Sequence, residues 1–503
     1  MNHTRWTYLS VVRVVVPAVA ICITMLGCAV GPNFRRPEAP DTAAYTVRPL
    51  PEMTASAPVA GGEAQRFISK QDIPDQWWTI FHSQELDQLI RMALEDNPTL
   101  LAARSTLRQA QENLNAGYGG LSPSVDAQAS VSRQKVSGAA IGQQGANISP
   151  FTLYNASVSI SYALDIFGGV RRELESLQSQ VDYQKFQLEG AYLTLTSNIV
   201  TSAVKEASLR AQIRSTRDII DAQDQQLKVV EKQFQLGGVS RSDVLAQKAQ
   251  LAQTRATLPP LEKDLDQTRH QLSVLTGRLP SEAGLPEFNL DGLKLPQELP
   301  VSLPSELVRQ RPDIRASEAL LHAACAQVGV ATANLYPQVT LTGRYGSEAT
   351  KAGDLFKGST AVWDIGAGLL QPVFRGGELT ARRRASIAAY DAASAQYREA
   401  VLQAFQNVAD VLRALDGDAL ALKAQADAEI AARDALELTR QQFQLGAVSY
   451  LTLLNAERGY QQVRIGLIQA QAARYADTAA LFQALGGGWW NRRPQDSAVK
   501  MTD

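Results

Sequence analysis

The sequence predicts a mainly α fold with a small membrane β-barrel: internally duplicated long α-helical hairpins, forming an α-barrel tunnel, plus four β-strands per chain. Two observations carry this. The chain repeats itself, since FQLGGVSRSDVL at 234–245 returns as FQLGAVSYLTLL at 443–454, a shift of 209 residues. Upstream, Asn97-Pro98 answers Arg311-Pro312 and Leu121-Ser122-Pro123 answers Leu335-Tyr336-Pro337, both shifted by 214. Two spaced pairs sharing one shift mark an internal duplication. In each half, moreover, strand-like segments precede a helical pattern of roughly sixty residues, far longer than a globular domain normally uses.

Residues 1–27 read as an export signal. Arg5 and Arg13 supply a positive start, and the apolar stretch Val14–Gly27 is too short to span a bilayer comfortably. Met25-Leu26-Gly27-Cys28 resembles a bacterial lipobox, in which Cys28 is acylated and becomes the first residue. Met25 stands where such signals usually have Leu, and Ala29 replaces the aspartate that tends to retain lipoproteins at the inner membrane. The plainer reading is a secretory signal with an incidental Cys. Losing Arg5 and Arg13 leaves 47 of 49 basic residues against 50 acidic ones, a net charge of −3. That balance favours neither nucleic acid nor a strongly anionic partner. With Cys22 in the signal and Cys28 modified, Cys325 stands alone in an alanine-rich helical run as a small packed residue. His82, His270 and His322 have no metal-ligand spacing, and the glycine runs at 117–120 and 486–488 lack the Lys-Ser/Thr of a phosphate loop. No catalytic constellation, metal site or cofactor is expected.

Residues 28–84, rich in Pro, Ala and Thr up to about 75, read as a lipid-anchored tether and belt segment. The first repeat spans 85–277. Leu86, Leu89, Ile90, Ala93 and Leu94 recur at helical spacing, with a break at Asn97-Pro98. After Pro123, Val125, Ala127, Ala129 and Val131 alternate with polar residues. The alternation resumes at Tyr154, Ala156, Val158, Ile160, Tyr162 and Leu164, giving a hairpin with one apolar and one polar face. A helix then runs from about Arg171 to Leu236, roughly 100 Å at 1.5 Å per residue. Gly237-Gly238 breaks it, and a return helix covers Ser242–Thr276. Residues 278–304, with five prolines, form a connector. The second repeat, 305–488, follows the same scheme: a helix at 305–334, strands at about 338–346 and 361–371, a long helix to Leu445, and a return helix ending at Gly486-Gly487-Gly488. A tail covers 489–503. In 381–412, Ile387, Tyr390, Ala393, Tyr397, Val401, Ala404, Val408 and Val411 form one helix face, as close packing requires.

Strands of this kind in an exported protein fit a lipid-facing outside and a wet inside. Four strands cannot close a barrel, and an open edge in lipid leaves backbone groups unsatisfied at several kcal/mol each. The chain must therefore oligomerise. A soluble hairpin on a core is the alternative, and a coiled-coil rod fits the helices almost as well as a tunnel wall. Arg171-Arg172 and Arg382-Arg383-Arg384 follow the strand–helix junctions, where lipid headgroups and a solvated helix face are equally good readings.

The ordered set Cys28-Ala29-Val30-Gly31-Pro32-Asn33-Phe34, Trp77-Trp78, Arg311-Pro312-Asp313, Asn334-Leu335-Tyr336-Pro337 and the two FQLG tips resembles the TolC-type outer-membrane efflux proteins, in the lipoprotein branch serving RND-type pumps. The likeness runs from Cys28 to about Trp490. It implies a homotrimer whose strands close a twelve-stranded barrel in the outer membrane, with helices continuing as a periplasmic tunnel. Both chain ends and the connector would form an equatorial belt. The turns containing Gly237, Gly238 and Ser240 and containing Gly446, Ala447 and Ser449 would be tips docking a periplasmic adaptor (membrane fusion) protein of an inner-membrane RND-type pump. Just past the second tip the resemblance places a gate at Leu451, Thr452, Asn455 and Arg458, with Arg241 and Asp243 from the first repeat. Read without it, Leu451 is ordinary helix packing. Relatives usually carry an aspartate where this chain has Asn455, so a carboxylate ring is absent there. A ring of Leu451 and a polar latch between Asp243 and Arg241 or Arg458 are expected instead. The implied function is a passive outer-membrane exit duct, not an enzyme, opened by adaptor docking. A type I protein-secretion channel and a non-pore periplasmic coiled-coil lipoprotein are the alternatives.

Overall fold

The computed structural model describes residues 29–492 apart from 43, 138–141, 143–148 and 283. The signal, Cys28 and the tail beyond 492 therefore lie outside the described residues. Eight α-helices and six strands are described: β1 (Arg66–Ser69), α1 (Gln84–Asp96), α2 (Pro98–Tyr118), β2 (Ser124–Gln134), β3 (Phe151–Leu164), α3 (Gly169–Gln235), α4 (Arg241–Leu275), β4 (Glu298–Val301), α5 (Pro304–Gln310), α6 (Pro312–Ala333), β5 (Gln338–Ala349), β6 (Ala361–Leu370), α7 (Glu378–Gln444) and α8 (Tyr450–Ala484). The duplication is metrical. Both long helices, α3 and α7, have 67 residues, and both return helices, α4 and α8, have 35.

The chain divides into two compact units. One comprises residues 1–37, 106–184 and 317–397. Its centre is a four-stranded antiparallel sheet in the order β2-β3-β5-β6. The register sets Ala127 opposite Val158, Val158 opposite Tyr345 and Tyr345 opposite Trp363, so each such row lies on one face. The neighbouring row is polar and carries Asp126, Ser159, Arg344 and Asp364, with Arg344 Nε bonded to Asp364 at 2.8 Å. The apolar face is open: Val158, Tyr345, Trp363, Ile365 and Leu369 are all exposed. The outer strands β2 and β6 each pair on one side only.

Where β3 gives way to α3, Asp165 caps the helix. Its carboxylate accepts from the Val170 and Arg171 N–H groups at 2.9 and 3.0 Å and pairs with the Arg171 guanidinium at 3.2 Å, placing negative charge at a helix N-terminus. Leu114, Leu174 and Val181 pack α2 against α3. Arg171 holds the cap and Arg172 is buried, so neither lies on a freely solvated helix face. Arg382, Arg383 and Arg384 are exposed.

The second unit comprises residues 38–105, 185–316 and 398–503. Two expectations change here. The helix expected over 305–334 is split at Arg311, because proline forces the residue before it out of helical geometry; Arg311 has ψ 126°. The break is used. Arg311 Nη1 donates to the Ala484 carbonyl at the end of α8 at 2.8 Å, and Nη2 pairs with Asp313 at 2.6 Å. In the first repeat Asn97, also before a proline, donates to the Leu275 carbonyl at the end of α4 at 2.9 Å. The duplication thus extends to how each return helix is tied off.

The segment up to residue 75, expected to be an extended tether, is instead packed. β1 pairs in parallel with β4 inside the proline-rich connector. Arg474 is fully buried and donates to the carbonyls of Gly61 and Glu63 at 3.0 and 2.6 Å and to Thr54 Oγ1 at 3.1 Å. Each acceptor stripped of its donor costs about 1–3 kcal/mol. Arg474→Met is therefore expected to destabilise this unit by roughly 3 kcal/mol or more, read as a fall in thermal midpoint; an unchanged midpoint would show that the segment is not held by Arg474. Trp77 stacks on Phe482 at 5.5 Å and completes this core.

Asp418 on α7 meets Asp477 on α8. Burial first, then the hydrogen bond and charge of Asp477, push the Asp418 carboxyl up to about 7. A carboxyl whose folded pKa exceeds its unfolded value stabilises the fold at acid pH, and that stability drains away as pH rises from about 4 through 7. Asp418→Asn is accordingly expected to raise the thermal midpoint at pH 8 and leave it nearly unchanged at pH 5. Equal gains at both pH values would count against a shared proton.

Candidate functional site: the two hairpin tips

The long and return helices are joined by two turns with the same geometry. Gly237 and Gly446 sit at φ +77° and +73°, the left-handed conformation that ends a helix at little cost only for glycine. At the first, the Gly238 N–H reaches back to Gln233 O and Gly237 N–H to Phe234 O, at 2.8 and 3.0 Å. At the second, Ala447 N–H reaches Gln442 O and Gly446 N–H reaches Phe443 O at the same two distances. Ser240 and Ser449 then cap α4 and α8. All six expected tip residues, Gly237, Gly238, Ser240, Gly446, Ala447 and Ser449, are exposed. Behind them Val230, Val244, Leu436, Tyr450 and Leu453 form one apolar cluster drawn from all four helices, so the tips are rigidly mounted.

On α8, Leu451, Thr452, Asn455 and Arg458 are exposed, while Leu453, Leu454 and Glu457 are buried. Leu451 is 59% exposed, so within one chain it packs against little. The polar contacts differ from the expected latch. Asp243 closes a capping box with Ser240, its Oδ2 accepting from the Ser240 N–H at 2.9 Å and the Ser240 hydroxyl at 2.6 Å. Arg241 is exposed on the first turn of α4. Arg458 Nε donates to Gln250 Oε1. The intrachain partner of Arg458 is thus an amide, and Asp243 serves its own helix.

Sequence reading missed the residues that join α8 to α4. The Tyr450 hydroxyl donates to Gln247 Oε1, and the Gln247 amide donates to the Gln223 carbonyl on α3 at 3.0 Å. Thr254 Oγ1 bonds Gln461 Oε1 at 3.4 Å. Gln247, Gln250 and Thr254 share one face of α4, spaced by three and four residues, and this polar periodicity was the available signal. Burial, then the nearby Glu457 and Asp243 charges, raises the Tyr450 pKa, so its hydroxyl stays a donor. Burial also raises that of Glu457, against the pull of Arg440 at 3.6 Å. Further along, the four helices line a groove of about 1070 Å³ rich in glutamine, including Gln212, Gln250, Gln425 and Gln461. Among the described residues no group of three or more His, Cys, Asp or Glu is placed to hold a metal ion, and no helix is long and apolar enough to cross a membrane.

A sheet with one open apolar face and unpaired edges and a pair of duplicated helical hairpins with firmly mounted tips are the parts of a tunnel-forming subunit. The outer membrane efflux protein family model matches residues 89–278 and 303–487, and the chain belongs to that family. It is 34% identical over 425 residues to the pyoverdine export outer membrane protein OpmQ of Pseudomonas aeruginosa, covering 83% of this chain and 88% of that one. It is 26% identical over 481 residues to the probable outer membrane lipoprotein SilC of Salmonella typhimurium, covering 94% and 98%. Among solved structures it resembles the outer-membrane channel OprN (TM-score 0.81, 28% identity, 92% of this chain and 100% of that one). It also resembles the open state of the Neisseria gonorrhoeae MtrE channel (TM-score 0.79, 26% identity, 92% and 99%). The protein is an outer-membrane efflux channel, and its family and fold are those of channels rather than enzymes.

Proposed function

We propose that three copies close a twelve-stranded barrel, that Cys28 carries the lipid anchor, and that the two tips dock a periplasmic adaptor of an RND-type inner-membrane pump. The observation that carries this reading is the four-stranded sheet with one exposed apolar face and two unpaired edges. In lipid such edges must be paired, and a neighbouring copy supplies the missing partner. Energy comes from the pump, and the duct has no chemistry of its own. Cargo follows the pump; the pyoverdine named for OpmQ and the toluene named for the Pseudomonas putida toluene efflux pump outer membrane protein are the kinds of cargo such a duct would pass. Closure rests on α8 being held to α4 by the Tyr450–Gln247 and Arg458–Gln250 hydrogen bonds, with three Leu451 side chains narrowing the tunnel near its axis; opening parts α8 from α4. In-cell photo-crosslinking from position 240, with mass spectrometry of the captured partner, tests the docking. Capture of the adaptor of a proton-driven pump is expected. The adaptor of an ATP-driven protein exporter would move the channel to type I secretion, and self-capture alone would remove the tip assignment.

A further inference from the structure

At the end of the sheet away from α3 and α7, the strands are joined by the β2–β3 and β5–β6 connections. Residues 133–153 and 349–360 carry four basic side chains, Arg133, Lys135, Lys351 and Lys357, against one acid, Asp354. The chain as a whole has 49 basic and 50 acidic residues, so this imbalance is local to one end of the sheet. All four basic residues are exposed. Lys357 pairs with Asp354 at 2.6 Å, and among the described residues no acid is paired with the other three. Unmatched cations at the end of an apolar face call for an anion from outside the chain.

Just inside this basic rim the apolar face is hollow. Ala129, Ala156, Ser347 and Ala361 form one row across the four strands, beside the bulkier row of Val158, Tyr345 and Trp363. The short side chains leave a cavity of about 550 Å³, lined also by Ala127, Phe356 and Lys357. The β5–β6 connection is pinned beside it: the Ser347 and Thr360 hydroxyls bond at 2.7 Å, and Thr360 Oγ1 donates to the Lys357 carbonyl at 2.7 Å. Phe356, on that pinned connection, is 85% exposed. An aromatic ring fixed beside an apolar hollow, with an ammonium group at its edge, matches an amphiphile rather than water.

We propose that the hollow and its rim bind a phosphorylated, multiply acylated lipid of the outer leaflet, with one acyl chain over the alanine row and the phosphates against Lys351 and Lys357. This rests on the barrel reading, which puts the apolar face in lipid and these connections at the outer surface. Hydrocarbon chains slide over the rest of that face, whereas the hollow holds one in place. Charge selects the headgroup: four cations to one acid favour phosphates over zwitterionic lipid.

The test titrates lipid A into the full-length trimer in neutral detergent and counts bound lipid by native mass spectrometry. Dephosphorylated lipid A and phosphatidylcholine are the comparisons, and lipid A is expected to bind more tightly than either. Lys351→Gln with Lys357→Gln should weaken it about 25-fold, taking a factor of about five for each basic residue lost beside an anionic lipid. Ala156→Trp fills the hollow without changing charge, and should weaken lipid A and its dephosphorylated form alike. Ala129→Leu, a gentler change for a strand that tolerates tryptophan poorly, should do so in part. Lipid A bound no more tightly than phosphatidylcholine, or equally by the parent and all these variants, overturns the site while the trimer stands. A parent chain that yields no trimer removes the barrel reading itself, and the site with it.

Discussion

Ile365→Lys is expected to abolish assembly of the channel in the outer membrane. Ile365 is 82% exposed and stands on the apolar face of β6, in the alternating set with Trp363 and Leu369. A lysine facing lipid costs about 2–4 kcal/mol near the bilayer midplane. Three copies around one barrel bring the penalty to roughly 6–12 kcal/mol, comparable with the whole stability of a typical domain. Thr342→Lys on β5 is the control: it adds the same charge on the polar face, where water solvates it, and should leave assembly intact. The readout is heat-modifiable trimer in the outer-membrane fraction. Normal trimer from Ile365→Lys would mean that this face does not meet lipid, and the barrel would have to be abandoned.

Sequence reading succeeded wherever one local rule governs a long run. Period-two alternation from Tyr154 to Leu164 and helical periodicity through α3 and α7 survive because every residue in the run repeats the same constraint. The turns were legible for a related reason, since Gly237 and Gly446 hold a conformation that favours glycine. Failures gathered where long-range partners decide. β4 contains Pro300 and reads as a linker, yet it becomes a strand because β1, more than 200 residues away, supplies its ladder. The residues around Gly61 have no period, yet they are fixed by one arginine far down the chain at Arg474. At the tip, charge alone matches Asp243 with the nearest cations, whereas its carboxylate is claimed by the N–H and the hydroxyl of Ser240, the cap of its own helix. A capping box is local and legible in the sequence as Ser240-x-x-Asp243.

That reassignment separates two accounts of closure. If Asp243 were the latch, Asp243→Ala would open the tunnel. If the lock is the pair of bonds between α4 and α8, Asp243→Ala costs only a helix cap, about 1 kcal/mol, and leaves conductance nearly unchanged. The double change Tyr450→Phe with Arg458→Ala then carries the effect. Each substitution removes one hydrogen bond and strands an amide oxygen, of Gln247 or of Gln250, at about 1–2 kcal/mol. Together they shift the closed-to-open balance by about 2–4 kcal/mol, roughly 30- to 700-fold in population. Phenylalanine keeps the Tyr450 ring against Val230 and Leu453, so the rigid mounting of the tip survives. The expected result is a large rise in single-channel conductance in planar bilayers, with sensitivity of cells to large antibiotics. Leu451→Ala in the intact lock should raise conductance only modestly, because the helices still stand closed behind the missing side chains. A large rise from Asp243→Ala with none from the double variant would return closure to the carboxylate and dismiss the amide lock.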